Sequence, residues 1–174
     1  RAQKMLFSDE PMGEEKYILY ADLSDMDIET SDFKSLDGKR VGVLLGTEPE
    51  IMLTEWENKN GIHTEHVNVN NDDDVEKKLA NHEIDCFVSL EESIWSEQGI
   101  SSVTTIGKSG IYFAINKERS DIKTKLDYAM RQLEQDSPFF KADLYKKYFT
   151  LDYIQLLTGK EKVWVEEHGG IQIG

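Results

Sequence analysis

Short apolar segments alternate with segments of helical periodicity through the middle of the chain, and this alternation constrains the fold more than any other feature. Residues 40–45 and 84–88 form nearly continuous apolar runs, as expected for strands that are buried on both faces. Residues 66–69 have the pattern of a shorter strand, and the intervening segments place apolar side chains four positions apart. Strand–helix–strand order at this spacing predicts βαβ units in a parallel sheet, and therefore an α/β fold.

The flanking regions have a different character. Residues 17–21 are a short strand candidate, and two separate strands are expected at 103–106 and 111–115. From about residue 118 onward the apolar positions follow helical spacing. The chain therefore combines one α/β region with a helical tail.

Charge and composition exclude several classes of function. The 174 residues include 20 Lys and Arg against 34 Asp and Glu, so the formal net charge is −14. Nucleic acid and anionic membrane surfaces attract basic proteins, so neither is an expected partner. The sequence contains no apolar run long enough to cross a bilayer and no signal peptide. Both ends of the chain are interpreted as cuts inside a longer protein.

The motifs that suggest catalysis or metal binding are incomplete. Gly107-Lys108-Ser109 resembles the end of a phosphate-binding loop, but the required upstream glycine is replaced by Ser102. His63 and His66 are expected on opposite faces of a strand, and no acid completes a metal site with them. Cys86, the single cysteine, lies inside an apolar run and is expected to be buried and inert. No catalytic residue, metal or cofactor is therefore expected.

One local feature favours ligand binding. In Leu45-Gly46-Thr47-Glu48 a strand end is followed by a glycine and by a helix start that Thr47 is expected to cap, with Glu50 completing a capping box. Unpaired backbone N–H groups at such a helix start can bind an anion, and the carboxyl ends of parallel strands are where open α/β sheets bind ligands. An ordinary helix cap explains the same residues equally well.

The order of the motifs resembles one family. Phe7-Ser8-Asp9, then Leu36-Asp37-Gly38-Lys39-Arg40-Val41-Gly42-Val43, Gly46-Thr47, Ile84-Asp85 and Tyr112-Phe113-Ala114-Ile115-Asn116-Lys117 are similar to bacterial solute-binding proteins of family 3, the amino-acid-binding type. The resemblance implies a two-lobed Venus-flytrap fold, with a parallel βαβ sheet in a periplasmic-binding-protein-like lobe. It also implies C-terminal helices that belong to a mostly missing second lobe.

On this resemblance the chain divides into four parts. Residues 1–22 would be the tail of lobe 1 and the first hinge strand, and residues 23–110 would be lobe 2. Residues 111–150 would be the second hinge strand and the helices that return to lobe 1. Residues 151–174 resemble the connector helix and first strand of a following module in membrane sensors with tandem modules.

The implied function is that of an extracellular ligand-sensing module of a membrane-anchored signalling protein, without enzymatic activity of its own. A small solute and the rest of the same protein would be its partners, and a homodimer is compatible with this interpretation. The ligand-binding candidates are Gly46, Thr47, Glu48 and Glu91. Alternatives are the binding protein of an ABC importer, a relay or dimerisation module without ligand, and an enzyme resembling cyclohexadienyl dehydratase.

The sequence departs from the family pattern at two positions. Leu90 stands where amino-acid binders commonly carry an aspartate for the ligand's ammonium group, and an ammonium group needs such a partner when buried. The absence of a carboxylate at position 90 argues against an ordinary amino acid as the ligand. Glu91 is the adjacent acidic residue. His82 replaces the usual glycine of a turn and is expected to strain it slightly.

Overall fold

The computed structural model describes residues 4–22, 28–30, 32–149 and Trp164. The strands of the described part are β1 Met5–Phe7, β2 Gly13–Ala21, β3 Arg40–Val43, β4 Glu65–Asn68, β5 Cys86–Leu90, β6 Ser101–Ile111 and β7 Ala114–Asn116. Its α-helices are α1 Glu48–Asn60, α2 Asp72–Ala80, α3 Ser93–Glu97, α4 Ser120–Asp136 and α5 Phe140–Phe149, and Phe33–Leu36 forms a 3₁₀ helix. The expectations for 151–174 fall outside the described residues, apart from Trp164.

Five of these strands form one mixed sheet in the order β4-β3-β5-β2-β6. β3 is parallel to β4 on one side and to β5 on the other, with Val41 level with His66 and Cys86. β2 runs antiparallel to β5, with Leu19 level with Val88. The predicted βαβ units and α/β fold class are therefore confirmed, and β2 is the strand that makes the sheet mixed.

The sheet is buried on both faces because its strands alternate between two apolar clusters. One cluster lies on the α1 side and contains Leu53 and Trp56 of that helix with Val41, Val43 and Cys86 of the sheet. The other cluster contains the opposite set of strand residues together with Val75 of α2 and Trp95 of α3, as follows: Ile18, Tyr20, Val69, Val75, Ile84, Phe87 and Trp95. Helices on both faces account for the continuous apolar runs in the sequence.

An ion pair joins β3 to β5 at the amino end of both strands. The Arg40 side chain donates to Asp85 through Nη2 to Oδ1 at 2.6 Å and through Nε to Oδ2 at 3.1 Å. The Arg40 backbone N–H donates to Oδ2 at 2.8 Å, and the Asp85 N–H donates to the Arg40 carbonyl at 2.9 Å. The arginine and the aspartate of the sequence motif therefore set strand pairing at the edge of the sheet opposite the candidate site.

His82 lies next to this ion pair and has a positive φ of 54°. Its carbonyl accepts a hydrogen bond from Arg40 Nη1 at 2.6 Å. A left-handed backbone is more favourable for glycine than for a residue with a Cβ atom, so the strained turn expected at position 82 is present.

Gly42 of β3 allows close packing on the α2 side of the sheet. A Cβ atom at this position would lie 2.9 Å from Ile84 Cδ1, 3.0 Å from Val69 Cγ1 and 3.3 Å from Phe87 Cβ. Any side chain here would displace these buried groups. The glycine in the Val-Gly-Val motif is therefore required by packing.

Several predicted strand boundaries are wrong. β3 ends at Val43, and Leu44 and Leu45 follow it as residues that are 43% and 41% exposed. The strands expected at 103–106 and 111–115 are replaced by one long strand, β6, and by β7, which begins at Ala114. β6 continues through Gly107 and Gly110, and it lies beside β2 in the sheet.

The described chain divides into two compact units. The larger contains residues 16–107, and the smaller contains residues 4–15 and 108–149. β2 and β6 each run from one unit into the other, since the divisions follow Glu15 and Gly107.

The smaller unit contains β1 and β7, which pair in antiparallel fashion, and helices α4 and α5. The Asp9 N–H donates to Asp127 Oδ1 of α4 at 2.9 Å. Lys123 lies between the carboxylates of Asp9 and Asp127, and Asp127 is only 5% exposed. The aspartate of the Phe7-Ser8-Asp9 motif therefore attaches the segment after β1 to α4.

Gly42→Ala is expected to lower the free energy of unfolding by about 1–3 kcal/mol, because the new methyl group overpacks the cluster around Phe87. Gly13→Ala is the matched control in a strand, since nothing lies within 4 Å of a Cβ atom there. Chemical denaturation monitored by circular dichroism measures both variants. Equal stability of the two variants would contradict the packing role assigned to Gly42.

Asp85→Asn is expected to destabilise the chain at pH 7 by about 1–2 kcal/mol, because the charge-assisted bonds to a partly exposed Arg40 are weakened. Arg40 holds the pKa of Asp85 below its usual value through these hydrogen bonds. The stabilisation is therefore complete above the ordinary carboxyl range near pH 4 and is lost as the pH falls through the lower folded-state pKa. Denaturation at pH 7 and at pH 3 checks this dependence.

The control for this measurement is Asp121→Asn, which changes the same type of ion pair at an exposed position. Arg119 and Asp121 are each 56% exposed, so solvent screens their interaction. A much smaller effect is expected there. If Asp85→Asn and wild type differ in stability by the same amount at both pH values, the charge of Asp85 is not the cause.

Candidate functional site

The candidate site lies at the edge of the sheet where the parallel strands β3 and β5 end. The segments that follow them are Leu44–Thr47 and Glu91–Glu92, and both begin at the carboxyl ends of the paired strands. The structure therefore brings Gly46, Thr47 and Glu48 to the same edge as Glu91. An edge at the carboxyl ends of parallel strands is the usual location of ligand sites in open α/β sheets.

Gly46 and Thr47 form the turn into α1, but their hydrogen bonds differ from the predicted capping box. Thr47 is the residue before the helix, yet its hydroxyl donates backwards to the Leu44 carbonyl and makes no capping bond. Glu50 accepts a hydrogen bond from the Gly46 N–H at 2.6 Å instead of from Thr47. The positive φ of Gly46, 73°, turns its amide toward Glu50, which explains the difference.

This geometry weighs against an anion at the start of α1. The Gly46 amide already has a carboxylate partner in Glu50, and Glu48 adds a second acidic side chain to the first turn. Both carboxylates interact favourably with the helix dipole and compete with any incoming anion. One N–H group of the predicted anion site, that of Gly46, therefore already has a partner within the chain.

Glu91 forms an ion pair with Lys16, the residue at which β2 enters the larger unit. The Lys16 Nζ lies 3.1 Å from Glu91 Oε2, and the two side chains are 26% and 20% exposed. The Glu91 N–H also donates to the Lys16 carbonyl at 3.0 Å. Glu91 therefore contributes to the edge as part of a charge pair, held in place by β2.

Tyr20 orients the segment after β5 and was not predicted from the sequence. Its hydroxyl donates to the Leu90 carbonyl and accepts from the Glu92 N–H, both at 3.2 Å. Its ring stacks on Phe87 at a centroid distance of 5.4 Å, and burial raises the pKa of Tyr20 to about 12. The hydroxyl consequently stays protonated and bridges both sides of Glu91. A tyrosine next to Leu19 and Ala21, which are fully buried, was the available signal.

The edge also has an apolar component. Leu44 and Leu45 are exposed, although Val41 and Val43 just before them in β3 are fully buried. The Leu45 N–H donates to Asn68 Oδ1 at 3.2 Å, so the carboxyl end of β4 supports the same turn. Two exposed leucines beside several polar groups suit a ligand that has both an apolar and a polar part.

The described residues contain no cluster of three or more His, Cys, Asp or Glu that could hold a metal ion. Cys86 is fully buried in β5, and burial raises the pKa of its thiol to about 12. A thiol in this state does not act as a nucleophile near neutral pH. None of the described helices is long and apolar enough to cross a membrane.

Comparison with known proteins identifies the family. A profile of the family described as "NMT1/THI5 like" matches residues 19–124, which is more than half of the chain. The chain belongs to the NMT1/THI5-like family. The matched region contains β3, β4 and β5 with the candidate edge. A search among curated protein sequences found no match.

Solved structures agree on the fold. A "probable amino-acid ABC transporter extracellular-binding protein" from Bacillus subtilis is 18% identical with a TM-score of 0.67, over 85% of this chain and 65% of that one. An ancestral amino-acid-binding protein, a precursor of cyclohexadienyl dehydratase, is 20% identical with a TM-score of 0.60, over 86% and 64%. Substrate-binding domain 2 of GlnP from Lactococcus lactis, in an open conformation, is 18% identical with a TM-score of 0.58, over 87% and 65%.

The resemblance to solute-binding proteins is thereby confirmed, and this NMT1/THI5-like chain has the fold of the amino-acid type. The chain spans about two thirds of the length of these neighbours, and their low identity establishes the fold alone. The sequence signal that located the edge was the strand end followed by Gly46-Thr47. Neither Tyr20 nor the bond between Gly46 and Glu50 had a comparable signal.

Proposed function

We propose that this chain is the ligand-binding part of an extracellular sensor, and that it binds a small solute at the edge formed by Gly46, Thr47, Glu48 and Glu91. The observation that supports this best is the meeting of the loops after β3 and β5 at one edge of a solute-binding-protein fold. The edge combines exposed leucines, a hydroxyl and an ion pair. Such mixed surfaces orient a solute and bury its apolar part.

Hinge closure is the proposed mechanism. On this proposal the larger unit is lobe 2 and the smaller unit belongs to lobe 1. The hinge strands are β2, which contains the expected segment 17–21, and β6, which ends at the first residue of the segment 111–115 that the sequence suggested as the second hinge strand. The division of the chain after Glu15 and after Gly107 supports this assignment, because both strands pass from one unit to the other. A solute that binds the closed form more tightly shifts the population toward closure.

The ligand class follows from the charges at the edge. Leu90 offers no carboxylate, and Glu91 is already paired with Lys16 at 3.1 Å. A ligand ammonium group would have to displace Lys16 from Glu91, which leaves the partly buried Lys16 ammonium without this partner. We therefore favour a solute without a free ammonium group over an ordinary amino acid.

Signalling is the proposed context, with the chain on the extracytoplasmic side of a membrane-anchored protein. The sequence of 157–174, which resembles the connector between tandem modules, supports this context. The second candidate is the binding protein of an ABC importer, favoured by the fold shared with the probable amino-acid ABC transporter extracellular-binding protein from Bacillus subtilis. A relay module without ligand is the third, and the occupied Gly46 amide favours it.

Binding without catalysis is proposed for the chain itself. The described residues offer a buried, protonated Cys86 and no acid–base pair at the edge beyond Lys16 and Glu91. The ancestral neighbour related to a dehydratase motivates a direct test of the enzymatic alternative. Incubating the chain with a cyclohexadienyl carboxylate and following the ultraviolet absorbance of an aromatic product would reveal dehydratase activity, which we expect to be absent.

A thermal-shift screen with small carboxylates, sugars, nitrogen heterocycles and the standard amino acids is expected to identify a stabilising solute. Stabilisation follows because a ligand that binds only the folded state adds its binding free energy. Thr47→Ala is expected to lower the affinity for that solute about tenfold, because the loss of one hydroxyl contact costs roughly 1.4 kcal/mol of binding free energy. Isothermal titration calorimetry measures the change.

Thr54→Ala is the matched control, because it removes an exposed hydroxyl from the same helix, where it donates to the Glu50 carbonyl at 3.0 Å. Unchanged affinity in Thr47→Ala would contradict the site assignment. A screen in which no solute stabilises the chain would favour the relay module.

The sensor context predicts the size and location of the native protein. An antibody raised against this chain should detect a polypeptide well above the mass of a two-lobed binding protein, retained in membranes after alkaline carbonate extraction. A transmembrane anchor resists this extraction because its apolar span stays in the bilayer. A band at the mass of a single binding protein would instead favour the importer.

A further inference from the structure

His66 lies between two carboxylates of α1 in the larger unit. Its Nε2 is 3.2 Å from both carboxylate oxygens of Glu57, and its Nδ1 is 3.6 Å from Glu50 Oε1. The His66 side chain is 18% exposed. Both ring nitrogens therefore face acidic groups, which the sequence did not predict.

Glu57 fixes one side of this arrangement. It is only 4% exposed, and it accepts hydrogen bonds from the Thr64 N–H at 3.1 Å and from the Thr64 hydroxyl. A buried carboxylate needs such donors to offset the loss of solvation. The Nε2–H of His66 is a further donor to the same group, which holds the ring in place.

Glu50 connects the imidazole to the candidate site. One of its oxygens lies near His66 Nδ1, and the other accepts the hydrogen bond from the Gly46 N–H at 2.6 Å. The chain of contacts therefore runs from the buried Glu57 through His66 and Glu50 to the turn at the edge of the sheet.

The protonation state of the His66 ring determines whether both of its nitrogens can donate hydrogen bonds in this series of contacts. A neutral imidazole has one N–H, so a bond to Glu57 leaves the Nδ1 lone pair facing a carboxylate. An imidazolium donates from both nitrogens and attracts both acids. Histidine is the side chain that ordinarily changes charge between about pH 5 and 8.

The elements beside the ring present uncharged residues at the positions next to it. Asn68 of β4 and Thr64, which directly precedes β4, share its face by strand alternation, and its neighbour in β3 is the apolar Val41. No third carboxylate lies within ion-pair distance of His66 among the described residues. Glu50 and Glu57 are thus the ionisable partners that α1 presents.

We infer that His66 is a positioning residue whose protonation keeps Glu50 bonded to the Gly46 amide and so orders the turn at the edge of the sheet. When the ring loses its proton, Glu50 loses its attraction to Nδ1 and releases the Gly46 N–H. The effect of this release on a ligand rests on the proposed function, whereas the coupling between the two groups does not.

Nuclear magnetic resonance of the ligand-free chain tests the coupling. The Gly46 amide proton is expected to shift with pH at the same midpoint as the His66 ring protons, because loss of the ring proton weakens the bond to Glu50. His66→Gln is expected to abolish this transition. Glu50→Gln is expected to leave the His66 titration in place while the Gly46 amide no longer follows it.

The control is His63→Gln, which removes an exposed histidine from the loop before β4 and should leave the Gly46 transition intact. A Gly46 transition that persists in His66→Gln or in Glu50→Gln would overturn the inference. Because no ligand is added, a failed solute screen leaves this result standing. Absence of the coupling, in turn, would not contradict the proposed binding of a solute.

Discussion

The pairing of β3 with β5 determines the position of most other groups in the larger unit. Arg40 and Asp85 join the two strands at their amino ends, and Gly42 lets Ile84 and Phe87 pack against the strand without a gap. Because the strands are parallel and in register, their carboxyl ends then meet at one edge. A slip of one residue would exchange the residues that face the two apolar clusters.

The α/β architecture could be predicted because it follows from burial on both faces. A strand covered by helices on either side leaves a continuous apolar run in the sequence, and 84–88 is such a run. The turn at Gly46-Thr47 could also be predicted from the sequence, because few residue types are favoured between the end of a strand and the start of a helix. The end of β3 was predicted too late because of Leu44 and Leu45. The sequence alone does not distinguish leucines that are exposed, as these two are, from leucines that are buried in a strand.

The remaining features depend on contacts between distant positions. The sequence spacing predicted a hydrogen bond between Glu50 and Thr47. In the structure, the Glu50 carboxylate instead accepts a hydrogen bond from the N–H of Gly46, which has a left-handed backbone conformation. His66 could not be placed beside Glu57 without knowing how α1 lies on β4. Likewise β6 continues through Gly107 and Gly110 because a neighbouring strand pairs with it, which no local propensity encodes.

Gly107 has a mechanical consequence at the place where β6 leaves the larger unit. A Cβ atom there would lie 2.5 Å from Met52 Sδ, so at this residue the strand meets α1 through backbone alone. The opposing side chain is an unbranched thioether, which changes rotamer easily. Interlocking side chains resist bending of a strand, and Gly107 contributes none. Gly107 is the last residue of β6 in the larger unit, and a rotamer change of Met52 can accommodate a small shift of the strand at this point.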